Sequence, residues 1–150
     1  MWVKIHPRGV VRDLLGEDIL SVLEGKGLSF LTKEDAVTEP VLDEAFGVLP
    51  FAQWGYESFI GIDLENFEIV QIASDLSLRF FVNSCLEHYV KCFEVFVEGP
   101  PYGIDGCGGL EVDPAQVRQD FLASIAAIDP AAVAEDSLWE SLSWDTAIGD

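Results

Sequence analysis

Between positions 78 and 97 the spacing of hydrophobic residues changes from that of a strand to that of a helix. Leu78, Phe80, Phe81 and Val82 form a run of aromatic and aliphatic residues suited to a packed pleated surface, with Arg79 its one charge. Leu86, Tyr89, Val90, Phe93 and Val97 then recur at i, i+3, i+4, i+7 and i+11, one stripe of a helix with about 3.6 residues per turn. Ser84 and Glu87 have the S-x-x-E spacing of a reciprocal cap, the hydroxyl accepting from the Glu87 amide while the carboxylate reaches back. Lys91, four positions after Glu87, adds a solvated ion pair of a few tenths of a kcal/mol at most.

The same reading extends along the chain. Residues 2–5 suit a short edge strand ended by His6 and Pro7, and residues 10–23 a first helix. That helix is weakened at Gly16, with Asp18 as a fresh cap, and stopped by Gly25 and Gly27. Residues 42–50 combine an acidic turn with an apolar run, and residues 51–56 are aromatic and glycine-broken. Two apolar runs, 58–62 and 67–73, joined through Asp63 to Asn66, predict a hairpin. Ser74 and Asp75 turn the chain into the strand at Leu78, so three adjacent antiparallel strands are expected.

Residues 99–109, with two prolines and five glycines, predict a loop. Asp113 and Pro114 supply an N-cap and first helical position, with Gln116 completing the cap. Val117, Phe121, Leu122, Ile125 and Ile128 form the apolar stripe of the helix that follows. Asp129 with Pro130 ends it and begins a short helical turn. Ser137 to Glu140 repeats the S-x-x-E cap ahead of Leu138, Trp139 and Leu142. With no repeat or linker to divide these elements, residues 1–150 read as a single α+β domain, its central, mainly antiparallel sheet flanked by N- and C-terminal helices.

Hydrophobic residues make up 49% of the chain, yet no run approaches the roughly 20 apolar residues of a membrane span. The stretch after Met1 has no signal-peptide core, which points to the cytoplasm. Three cysteines, an odd number without a C-x-x-C pair, argue for reduced thiols. The formal net charge of −19 is unevenly spread, because the first 33 residues carry five basic and four acidic side chains and the remainder three and 23. Such a field excludes nucleic acid and anionic membranes as favoured ligands and suits a basic protein partner, although a solvated surface or adaptation to high salt gives the same composition.

Chemistry is sparse. Cys85, His88 and Cys92 share a helical edge, with Cys107 in a distant loop, and suggest either a zinc site or small residues flanking the stripe; the second fits better, and no metal is expected. A cysteine–histidine dyad on that edge lacks an orienting third group. The carboxylates Glu39, Asp43 and Glu44, and Asp63, Glu65 and Glu68, lack the EF-hand order and lie where turns need solvated charge. The glycines of 99–109 lack the phosphate-binding G-x-x-x-x-G-K-[ST] pattern. No catalytic residue and no cofactor is therefore assigned. Trp54, Tyr56 and Tyr102 are loop aromatics of the kind that anchor interfaces, with Glu57, Asp63, Glu65 and Asp105 near them in sequence to meet basic side chains. Taken alone, each is better suited to plugging the edge of its own core.

The order of elements resembles the SUKH superfamily of bacterial immunity proteins, most of all its fourth subfamily. Gly27-Leu28 resembles the family's G-L-P position, and the paired strands around 59–62 and 68–72 follow. Phe81-Val82-Asn83-Ser84-Cys85-Leu86 resembles its f-V-N-s-S-L signature, and Ile128-Asp129-Pro130 with Trp139 its closing i-D-P and W. Ser29 stands where proline is usual, Cys85 where serine is usual, and Gln71-Ile72 lacks the usual Asp and Gly turn. The resemblance implies a protein that binds a toxin domain, often a nuclease or deaminase, without catalysis of its own. A regulatory adaptor of the same fold is the alternative, and a small hydrolase the third reading.

Overall fold

A computed structural model describes residues 1–98, 113–135 and 137–148. The predicted hairpin and following strand form as β4 (Ser58–Asp63), β5 (Ile69–Ala73) and β6 (Leu78–Asn83), and a further strand, β3 (Val48–Gln53), joins them in an antiparallel sheet of order β3-β4-β5-β6. The sequence pattern predicts no strand at β3. Pro50 cannot donate to a ladder, and a register shift between Pro50 and Ala52 breaks the alternation that would have marked it. An edge position tolerates both.

The N-terminal strand β1 (Trp2–Val3) pairs with a short β2 (Leu28–Ser29), placing Val3 opposite Leu28. Between them α1 (Val10–Glu24) is broken at Gly16, whose φ of 79° and ψ of 162° no helix contains. Gly27 has φ +86°, and a Cβ there would stand 2.2 Å from the Val3 carbonyl oxygen. Only glycine permits that crossing.

Three helices follow the sheet: α2 (Leu86–Glu98), α3 (Pro114–Ile128) and α4 (Leu138–Ile148). Asp113 caps α3 as expected, accepting from the Ala115 amide at 3.0 Å, while Gln116 turns instead to Asp120. Ser137 Oγ accepts from the Glu140 amide at 3.1 Å. At α2 the expected reciprocal cap does not form. Ser84 donates to Asp129, and Glu87 pairs with Lys91.

Leu86, Tyr89 and Phe93 of α2 are buried as their spacing predicts, but Val97 is 40% exposed and Cys92 is fully buried. The Tyr89 ring lies 5.3 Å from Phe51 of the sheet and 6.0 Å from Trp139 of α4, so one residue joins three elements. Around it Leu49, Ile60, Ile62, Ile69 and Val82 from one sheet face pack with Phe121 and Ile125 of α3. On the other face Val48, Val70 and Ile72 form a separate small cluster, covered by Phe46 and Phe59. Among the described residues, no helix is long and apolar enough to cross a membrane.

Candidate functional site

Asn83, Ser84, Asp129 and Trp139, far apart in sequence, meet in one cluster. Asn83 ends β6 with none of its surface exposed; its Oδ1 accepts from Trp139 Nε1 at 2.9 Å and its Nδ2 donates to Asp129 Oδ2 at 3.1 Å. The Ser84 amide and hydroxyl donate to the same carboxylate at 2.7 and 2.9 Å. Burial disfavours ionisation of Asp129, but these donors, with His88 nearby, outweigh it and hold the carboxyl below its ordinary pKa. His88 Nδ1 stands 3.6 Å from Asp129 Oδ2. The cluster ties the β6–α2 junction to the start of the 3-10 turn Pro130–Val133 and to α4, which is a structural task.

Chemistry at the Cys85–His88–Cys92 edge is poor. Cys92 is fully buried, and its pKa is pushed up to about 11, chiefly by that burial, with Asn83 opposing and Asp129 reinforcing. A protonated thiol is a weak nucleophile and a weak metal ligand. Among the described residues no group of three His, Cys, Asp or Glu side chains is placed to hold a metal; Cys107 lies outside them. Of the two carboxylate sets, Asp43 Oδ1 accepts from the Phe46 amide and Asp63 Oδ1 from the Glu65 amide, so both acids build turns.

The proposed contact residues are divided between the two ends of the sheet. Trp54, Tyr56 and Glu57 occupy the β3–β4 turn, which is joined to the turn before β6 by the Ser74 amide donating to the Glu57 carbonyl. Tyr56 is 89% exposed, and Leu76 and Leu78, in and after the joined turn, are 65% and 44% exposed. Trp54 is half-buried against the core, and Glu57 is exposed. Asp63 and Glu65 stand at the other end, roughly 17 Å away along β4 at the usual strand rise. Glu65 is exposed, but Asp63 is 6% exposed and ion-paired to Arg79, so it is not available to a partner's cation. Tyr102 and Asp105 lie outside the described residues.

Joining these ends is the sheet face that carries Phe59 and Phe81, both half-buried. Among the described residues, Phe46 and Phe59 cover its apolar centre. This face is not legible in the sequence, because β3, which completes it, carries no strand signal. Two clefts of about 380 and 470 Å³ share His6 and Arg8 at the N-terminal end, with their charge internally compensated: Arg8 pairs with Glu39, and Arg12 with Glu24. Hydrogen bonding from Arg12 holds the Glu24 carboxyl below the usual range. A groove of about 360 Å³ runs between Trp54, Gln71 and Phe80 on the sheet and Ser137, Leu138 and Leu142 on the helical side.

No family model, curated protein or solved structure matches the chain. The fold and surface define an α+β protein whose antiparallel sheet has helices packed on one face and a half-buried aromatic surface on the other.

Proposed function

We propose that this is a cytoplasmic immunity protein that neutralises a basic toxin domain by occupying its surface, transforming nothing itself. The observation that carries the reading is the direction of the charge. Arg8, Arg12, Arg79 and Arg118, all of the protein's arginines, are bound to its own carboxylates. The formal net charge is −19, and among the described residues Glu57 and Glu65 stand exposed at the two ends of the aromatic face. A basic partner would be steered to it roughly 10- to 1000-fold faster than by unaided diffusion. An interface of about 1,600 Å² would span that face and its two turn ends.

The test is co-expression with toxin domains encoded beside the gene, scoring survival. Rescue is expected only with the cognate domain, and the association rate of the purified pair should fall steeply from about 0.05 to 0.5 M salt. A rate indifferent to salt removes the electrostatic half of the mechanism, and failure to rescue from any neighbouring toxin removes the immunity reading.

A further inference from the structure

The two edges of the sheet are treated differently. Along β3, Pro50 and the adjacent register shift interrupt the edge, and residues 36 and 37 lie against it: Ala36 bridges Ala52, and the Val37 amide donates to the Phe51 carbonyl at 2.9 Å. These are the usual protections against an unwanted added strand. At the opposite edge, β6 pairs with β5, and among the described residues no strand lies beyond it. Its second half is sealed, with Val82 and Asn83 fully buried. The first half is open among the described residues: Leu78 and Arg79 are exposed, and Phe80 and Phe81 half-buried. Arg79, its only charge, does not guard it, because the guanidinium is committed to Asp63 and to the Phe46 carbonyl.

We propose that this open half of β6 is a docking edge, onto which an extended basic segment of a protein partner adds as a fifth strand. The groove between Phe80 and the α4 residues Leu138 and Leu142, which Gln71, Ser137 and Ser141 also line, adjoins the edge, so alternate side chains of an added strand would fall into this partly apolar slot while main-chain bonds supply the affinity. Charge selects the occupant. Asp75 lies in the turn feeding β6, Glu57 in the turn bonded to it, and Glu135 two residues before the groove wall at Ser137; all three are exposed. A second copy would bring the same acids against them, whereas alternating basic and apolar residues complement both acids and slot.

The test is amide hydrogen exchange on the full-length protein with a synthetic heptapeptide of alternating Arg or Lys and Val. Those amides of residues 78–81 that point away from β5 should exchange freely in the isolated protein and slow about tenfold or more at saturating peptide. The Glu-for-base counterpart and a proline-interrupted version should leave them unchanged. Protection already present without peptide, rising with protein concentration, equal with the acidic peptide, or absent with the basic one overturns the proposal. Leu78→Lys places a gatekeeping charge at a 44% exposed position; it should keep the wild-type unfolding midpoint and lose the peptide-induced protection, and retained protection counts against the edge. The inference rests on the protein binding a basic partner, yet the two readings fail separately. Undiminished rescue by Leu78→Lys sinks the docking edge alone, and peptide capture without rescue by the wild type sinks the immunity reading alone.

Discussion

Replacing Asn83 by alanine removes the residue on which the buried polar cluster converges. The Trp139 indole N–H loses its acceptor while remaining fully buried, and the Asp129 carboxylate, 2% exposed, loses one of its donors. A stranded buried N–H costs about 1–3 kcal/mol, and loss of one hydrogen bond to a carboxylate that keeps its others about 1.5–3, so the two together amount to about 4 kcal/mol. Folded domains of this kind are stable by only about 5–15 kcal/mol, so most of the margin is at risk. With a urea m-value of about 2 kcal/mol/M, the unfolding midpoint should fall by roughly 2 M, followed by tryptophan fluorescence and circular dichroism. Trp139→Phe strands only the Asn83 carbonyl, and Asn83→Ala combined with Trp139→Phe should cost at least about 1 kcal/mol less than the sum of the single variants, because they share one bond. Ser84→Ala removes a hydroxyl at an exposed position and leaves the backbone donor, so it should cost under about 1.5 kcal/mol. A midpoint shift below about 0.5 M for Asn83→Ala, or strict additivity in the double variant, would refute the reasoning.

Other outcomes follow from the same geometry. The Asp129 carboxyl is held below its ordinary pKa in the folded state, so its stabilising contribution is complete above the ordinary aspartate range and lost as pH falls through the folded value. Asp129→Asn should therefore be less stable than wild type at pH 7 and converge on it in acid, read from urea midpoints across pH; a gap independent of pH contradicts this. Cys92, fully buried with its pKa pushed up to about 11, should resist alkylation in the native state at neutral pH and become reactive only on unfolding, as mapped by mass spectrometry. Gly27→Ala forces a side chain into a positive-φ position 2.2 Å from the Val3 carbonyl oxygen and should cost about 3 kcal/mol or more by thermal unfolding, with loss of the β1–β2 pairing.

Much of the architecture was legible where its determinants are local. The α3 cap at Asp113, the break at Gly16, the β4–β5 hairpin and the S-x-x-E cap at Ser137 each depend on residues within a few positions of one another. The partner surface was legible only in part. Tyr56 and Glu57 are exposed as an interface residue must be, whereas Asp63, at the acidic β4–β5 turn, is committed to Arg79, 16 residues away. Leu76 and Leu78 carry no periodic signal that separates an exposed turn and edge from a buried strand.

The sequence by itself determined the α+β class, the acid excess and the positions of most helices, because hydrophobic period, end caps and charge count are properties of short windows or of composition. Only the tertiary structure decided that Ser84 serves Asp129 and not Glu87, that Asn83 joins partners 46 and 56 residues away, and that residues 36 and 37 flank one sheet edge while, among the described residues, no strand lies beyond the other. Local spacing offers a polar group several partners of similar strength. Burial selects among them, since a donor removed from water must find whichever acceptor the distant chain has brought within reach.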